Sequence, residues 1–298
     1  MNPRSSDLLQ RIQGSIHNLS KGQRLIAGFI TNQYEKAAFM TAAKLGEVVG
    51  VSESTVVRFA MELGYEGYPK LQKALQEIVR GKLTSIQRME VSANRLNEKN
   101  ILRDVLMSDI EKIRLTIDEI DDESFNRIAD CILAARRIYI LGVRSSFTLA
   151  SFLWFYLNFM FENVTLVSTY SSSQMCEQMF KAEPGDVVIG MSFPRYSRST
   201  VKAIQFVKNQ GATVVTLTDS ILSPLSGYAD HIIIARSDMV SFADSLVAPL
   251  SVINALIVAL GMKKKDYIYN TFNELEKIWD EHGVYEKLSG NNENSSED

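Results

Sequence analysis

Residues 41–60 read TAAKLGEVVGVSESTVVRFA. Thr41 is a good N-cap, and the helix it opens should turn Ala42, Leu45 and Val48 inward before Gly50, which can take the left-handed conformation that ends a helix. Ser52 caps a second helix that runs to Leu63 and stops at Gly64. The Gly50-Val51 turn permits the sharp crossing of a helix-turn-helix unit. On a 3.6-residue wheel the second helix sets Val56, Phe59, Ala60 and Leu63 on a core face. The opposite face carries Ser54, Val57, Arg58 and Met61, flanked by Glu53 and Thr55. Arg58 can read guanine or hold a phosphate, and small hydroxyls let the backbone approach the groove. Free amides behind Ser52 suit a phosphate. Val57 and Met61 fit thymine-methyl contact and packing on a neighbouring helix or a dimer mate equally well.

Working outward, Ser20-Lys21-Gly22-Gln23 is a capping box, followed by Leu25, Ile26, Phe29 and Ile30 at helical spacing. On the other side, Tyr65 to Tyr68 and Pro69 turn into a helix carrying Leu71, Leu75, Ile78 and Val79 inward. The stretch 81–100 is polar and reads as a hinge or exposed helical connector. Leu102, Leu106, Ile110, Ile113, Ile117 and Ile120 then mark an amphipathic helix, and Phe125–Leu133 another. Beyond them short apolar strands alternate with helices: strands at 138–142, 164–167, 187–190, 213–217 and 231–235, helices at 147–161, around 175–180, at 200–209 and at 246–260. That alternation predicts a parallel sheet covered on both faces. The fold class is α/β, an all-α helix-turn-helix domain followed by a doubly wound parallel-sheet domain. The expected division is 1–80 for the helical domain, 81–104 for the linker, 105–265 for the sheet domain, and 266–298 for a C-terminal helix with a disordered acidic tail, SGNNENSSED.

The chain has 298 residues and 33.5 kDa, with 46% hydrophobic and 22% charged residues, which excludes disordered and fibrous classes and leaves room for two domains. Cys131 and Cys176 make no disulfide framework, and His17, His231 and His282 are too scattered for a structural metal, so no metal or cofactor is expected. No leader pattern opens the chain, so a cytoplasmic location is expected, with no membrane partner. The apolar stretch Phe152–Phe161 is too short for a bilayer, which takes about 20 residues. Residues 1–80 carry ten Lys/Arg against seven Asp/Glu, and the remainder 22 against 28, so any polyanion partner belongs to the N-terminal part.

Two junctions after predicted strands have phosphate-binding chemistry. At Gly142-Val143-Arg144-Ser145-Ser146, backbone amides and hydroxyls meet a helix start, but Arg144 stands where a dinucleotide fingerprint has its second glycine. The second, 190–200, reads GMSFPRYSRST, with hydroxyls at Ser192, Ser197, Ser199 and Thr200 and charge at Arg195 and Arg198. Simple helix capping explains part of this hydroxyl content.

The run LSKGQRLIAGFI at 19–30 with SESTVVRFAMELGYEGYPKLQKAL at 52–75 resembles the N-terminal domain of the MurR/RpiR family of bacterial transcription regulators. Residues from about 105 to 262 resemble the SIS (sugar isomerase) domain through IYILGVRSS, EPGDVVIGMSF and GATVVTLTDSILSPLSGYADHIII. The resemblance implies a double-stranded DNA operator as one partner and a phosphorylated sugar effector as the other. DNA contact then falls to Thr41, Lys44, Ser52, Ser54, Thr55 and Arg58, and ligand contact to Gly142, Ser145, Ser146, Ser192, Arg195 and Ser197. Arg144 departs from the family's second glycine, and Pro194-Arg195 from its serine-glycine pair.

The competing reading is a sugar-phosphate isomerase with an appended DNA-binding domain. Isomerisation needs a placed base, and Glu177, Asp238, Asp244 and His231 are candidates without a recognisable catalytic setting. A regulator that binds without reacting suits the joined helix-turn-helix better. Helix-turn-helix readers work in pairs, so a homodimer or tetramer is expected, with part of the aromatic helix 147–161 buried in the contact or in the core.

Overall fold

The computed structural model describes residues 18–80, 100–237 and 243–286, together with residues 8, 11, 12, 14–16, 84, 86, 87 and 89. The side chain of Ile78, most of the connector, Asp238 and the acidic tail lie outside the described residues.

The N-terminal helices are α1 (Lys21–Ala37), α2 (Ala42–Val49), α3 (Glu53–Glu62) and α4 (Tyr68–Arg80). The capping box forms: the Ser20 amide donates to Gln23 Oε1 at 2.8 Å while the Gln23 amide donates to Ser20 Oγ. Ile26, Ile30, Leu45, Val56, Phe59 and Leu71 close a core of their own. Burying a side chain the size of Phe59 contributes about 1.5–3 kcal/mol. Val48, expected inward, is exposed instead, and so is Leu25 of the α1 apolar set. Each is at the edge of its helix's apolar arc, and Ile26 and Leu45 fill the space first.

The aromatic-glycine turn has a structural purpose. Tyr68 is buried, and its hydroxyl donates to the Met40 carbonyl at 2.8 Å. Gln72 Nε2 donates to the same carbonyl at 2.7 Å, and Gln76 Nε2 to that of Ala38 at 2.9 Å. Side chains of α4 thus satisfy carbonyls that the end of α1 leaves without a helical partner.

The second group comprises α5 (Ile101–Glu119), α6 (Asp122–Leu133), β1 (Ile138–Gly142), α7 (Ser145–Leu157), β2 (Val164–Val167), α8 (Ser172–Gln178), β3 (Val187–Met191), α9 (Arg198–Asn209), β4 (Thr213–Thr218), β5 (His231–Ile234), α10 (Val247–Lys263) and α11 (Lys265–Glu281). The five strands pair in parallel in the order β2-β1-β3-β4-β5. Both sheet faces are apolar. Ile140, Ile189 and Leu217 pack with α6, α7 and α10 on one side. Leu141, Val188 and Val214 pack with α8 and α9 on the other. Below the strands, Arg136 Nε and Nη2 each reach a carboxylate oxygen of the buried Asp186 at 2.9 Å, fixing the start of β1 to the start of β3.

One helix departs from the expected packing, and another takes the core alternative. The amphipathic helix α5 turns Lys112 and Thr116 inward, 3% exposed each, while Leu102 is 75% and Ile117 68% exposed. The aromatics of α7 are mostly half-buried: Phe152, Trp154 and Tyr156 pack on the core, and Phe159 stacks on Phe272 of α11. Of this aromatic set only Phe155 is mostly exposed. Among the described residues no single helix is long and apolar enough to cross a membrane.

Burial pushes the Tyr68 phenol up to about 12 from 10.0. The folded state therefore keeps a proton that the unfolded chain releases near pH 10. That contribution to stability is complete below about pH 10 and declines as pH rises toward about 12. Tyr68→Phe should cost about 1–2 kcal/mol at pH 7, and this difference from the wild type should shrink in chemical denaturation at pH 11.

Candidate DNA-reading face and effector cleft

Helices α2 and α3 of the helix-turn-helix unit are held by short local bonds. Thr41 Oγ1 accepts the Lys44 amide at 3.2 Å, and Ser52 Oγ accepts the Thr55 amide at 3.3 Å. Gly50 adopts φ 77°, and the Val51 amide donates back to the Gly46 carbonyl at 2.8 Å, a helix end that only a left-handed residue closes. Gly46 has a separate task. A Cβ there would lie 2.7 Å from the Val51 carbonyl oxygen, so the crossing of α2 and α3 needs a residue without one. Gly22 on α1 lets Val51 and Thr55 approach in the same way, with its missing Cβ 3.3 Å from Thr55 Cγ2.

Outward from this frame, Ser52, Ser54, Arg58 and Met61 are exposed and Thr55 is half-buried. Ser52 Oγ lies 2.9 Å from Ser54 Oγ and 2.8 Å from Thr55 Oγ1, so three hydroxyls cluster at the N-terminus of α3. Arg58 Nε donates to the Ser54 carbonyl at 3.3 Å, laying the exposed side chain back along the helix. Thr41 and Lys44 are exposed beside them, and Lys44 pairs with Glu47 at 3.0 Å. Val57 is half-buried against the helical core, which assigns it to packing, whereas Met61 is on the open face.

In the sheet, the chain leaves β1 and β3, which are neighbours, toward opposite faces, so their C-terminal loops diverge and open a crevice. The strand order makes this the switch point where ligands of doubly wound sheets bind. Gly142 ends β1, and a Cβ on it would meet the Ser146 carbonyl oxygen at 2.6 Å. Ser145 is exposed and Ser146 buried in the first turn of α7. After β3, the buried Ser192 accepts the Ser197 amide at 3.1 Å, and Ser197 Oγ caps α9 by accepting the Thr200 amide at 3.2 Å. Capping thus accounts for one lone pair on Ser197; each hydroxyl retains its proton to donate. Pro194 is buried and Arg195 exposed.

Both departures from the glycine pattern share one geometry. Arg144 has φ 56° and Arg195 φ 65°, the two non-glycine residues with positive φ among those described. Each loop keeps the backbone shape glycine would take freely and places a guanidinium there instead. Two further groups join the second loop: Tyr196 donates to the buried Asp219 at 2.8 Å, and Thr218 Oγ1 donates to the Ser192 carbonyl at 2.8 Å. Sequence reading missed Tyr196, Thr218 and Asp219, although Thr218-Asp219 directly follows an apolar strand core, a position that signals a sheet-end residue.

Two family models match the chain, the helix-turn-helix domain of the rpiR family over residues 6–82 and the SIS domain over residues 132–259. This is the domain make-up of an rpiR-type helix-turn-helix regulator. Relatives of this regulator include HexR of Escherichia coli strain K12, 25% identical over 269 residues that cover 87% of this chain and 89% of that protein. An uncharacterised HTH-type transcriptional regulator of Clostridium perfringens is 23% identical over 225 residues, 75% of this chain and 80% of that protein. The sugar isomerase domain of an RpiR transcription factor from Sphaerobacter thermophilus superposes with a TM-score of 0.57 at 26% identity, covering 60% of this chain and 99% of that one. The Vibrio vulnificus NanR protein complexed with ManNAc-6P superposes with a TM-score of 0.56 at 22% identity, covering 94% and 100%. The regulator thus joins a helix-turn-helix to a SIS-type sheet.

Gly46→Val should force the α2–α3 turn apart, lowering stability by about 1–3 kcal/mol in thermal or urea unfolding, with operator binding lost in parallel. Unchanged stability would mean that the turn relaxes at no cost.

Proposed function

We propose that this regulator reads operator DNA with α3 and senses a phosphorylated sugar in the crevice beyond β1 and β3. The observation that carries the sensor half is the pairing of two serine-bearing loops at the switch point of the sheet. Ser192, Ser197 and Ser146 present hydroxyls from neighbouring strand ends, Ser145 and Gly142 shape the first loop, and Arg195 adds a charge-assisted contact to phosphate. In the DNA half, Arg58 and Ser54 face the bases, while Thr41, Lys44, Ser52 and Thr55 hold phosphates on either side. The NanR neighbour, seen with ManNAc-6P, has the same fold and supports a phosphosugar as the ligand class.

Binding without turnover fits the site better than isomerisation. His231 opens β5, at the strand end opposite the loops, and Glu177 is exposed on α8. Asp244 is half-buried shortly before α10. The relatives carry the names of transcription regulators. The working unit is a cytoplasmic homodimer or a tetramer built from it, two reading heads serving two half-sites. Ligand occupancy regulates DNA affinity by favouring one arrangement of the heads.

Three measurements test the reading. Thermal shift against phosphorylated sugars, each paired with its unphosphorylated form, should give a rise confined to phosphorylated members. Arg195→Ala should weaken the responding ligand about tenfold or more while leaving operator affinity unchanged. Equal response to both members of every pair, or an Arg195→Ala protein with wild-type affinity, would remove the phosphate from the site. On the DNA side, Arg58→Ala should cost about 1–3 kcal/mol of operator binding and relax preference at one base pair, read by competition gel shift.

A further inference from the structure

The first loop of the crevice closes as a tight turn. The Ser146 amide donates back to the Val143 carbonyl at 3.2 Å, so residues 143–146 form a four-residue turn with Arg144 at its first corner. Arg144 has φ 56° and ψ −128°, the first-corner geometry of a type II′ turn. That corner belongs to glycine, because a side chain crowds the backbone there. The turn is held from both sides: Val143 is buried, and the Phe147 amide donates to the Arg144 carbonyl at 3.0 Å.

Arg144 is also unsuited to its place by charge. It is the N-cap residue of α7 and makes no side-chain cap bond there. A guanidinium has donors only, so it has nothing to offer the free amides of a helix start. Its positive charge meets the positive end of the helix dipole. The side chain is exposed and pairs with no carboxylate among the described residues. Backbone, capping and dipole therefore all oppose arginine at this corner. An anion that is not part of the fold is what reverses the balance, since it gains from the guanidinium, the helix start and the fixed turn together.

Depth separates this group from the serines. Ser146 is 5% exposed and Ser192 4%, at the floor of the crevice, whereas Arg144 is at the open rim. Arg195 belongs to the Ser192–Ser197 loop, and Arg144 to the loop of the neighbouring strand, about 4.8 Å away at the strand ends. A phosphate seated on the buried hydroxyls leaves the remainder of its sugar pointing toward the rim. We propose that Arg144 takes a second anionic group there, so that the effector is a sugar phosphate that also carries a carboxylate or a further phosphate. The planar fork of arginine matches either group with two parallel bonds. This inference rests on the phosphosugar reading above and narrows it.

Isothermal titration of the full-length protein, with thermal melting as the folding check, tests it against matched trios of probes. Glucose 6-phosphate, gluconate 6-phosphate and glucose 1,6-bisphosphate form one trio; ribose 5-phosphate, ribonate 5-phosphate and ribose 1,5-bisphosphate form another. The sugar acid or the bisphosphate should bind about tenfold or more tighter than its phosphate-only partner, and the one that leads tells carboxylate from phosphate. Arg144→Gly frees the strained corner, so it should melt no lower than the wild type and bring the two-anion probe down to the affinity of its partner. Arg144→Lys keeps the charge without the fork and should fall between. Equal weakening of all three probes by Arg144→Gly would put both arginines on one phosphate and overturn the proposal. So would a preference unmoved by that substitution, or a lower melting temperature, which would give the side chain to the fold. A phosphate-only sugar that binds the wild type as tightly as its two-anion partners removes the second group and keeps the phosphosugar reading. Absence of binding by every phosphorylated probe removes both.

Discussion

The C-terminal half of the molecule depends on β1 lying directly beside β3. Their register sets Gly142 against Met191 and Ile138 against Val187, so both strands reach the same height and release their loops together. The lower end is tied by the two bonds from Arg136 to the buried Asp186, supported by the Arg136 amide donating to the Gly185 carbonyl and the Val187 amide to that of Arg137. A carboxylate with no exposed surface is tolerated only when its lone pairs are used, and here the Glu183 amide takes a further one at 3.1 Å. With the lower ends fixed, the upper loops are positioned by strand length alone. α7 then departs to one face and α9 to the other, and the crevice between them follows from topology.

Much of this was legible because it is encoded locally. Capping residues state where helices begin: Ser20, Thr41, Ser52 and Ser197 all accept the N3 amides expected of them. Gly50 and Gly64 state where helices stop, and both have positive φ. Strands buried on both faces appear as unbroken apolar runs, which made β1 and β3 readable to within a residue. What failed was inference about direction. Periodicity shows that α5 has an apolar stripe; it does not show which way the stripe faces. The deciding bonds run from Asp109 and Thr116 to Ser245 and Arg236, more than a hundred residues away. The same holds for Tyr68, Gln72 and Gln76, whose partners lie about thirty residues upstream in the turn after α1. Sequence patterns report a residue's neighbours on its own element, and these residues act on another.

The inner side of α5 also joins parts of the molecule that would otherwise be separate. Arg236 follows β5, and Ser245 precedes α10, so the bonds to Thr116 and Asp109 hold both ends of the β5–α10 connection against α5. That connection leaves the same edge of the sheet as the two serine loops. Arg236 also pairs with Glu119 near the C-terminal end of α5. Any shift of this segment therefore pulls on a helix through buried polar bonds, which have definite geometry, and not through apolar contacts, which slide. The helix so held is the one that leads back toward the DNA-reading group.

The two arginines in left-handed backbone show most directly where the chain has given up stability. A non-glycine residue in that region costs roughly 1–2 kcal/mol, and nothing in the sheet's packing calls for a side chain at either position, since Arg144 and Arg195 are both exposed. Glycine would relieve the strain at both places without disturbing the core. On the proposed reading, the gain lies in what the guanidinium groups do toward a bound phosphorylated ligand, since both stand at strand ends bordering the crevice. Strain confined to two neighbouring loops, in a domain whose core strands are otherwise unstrained, is the pattern of a binding site.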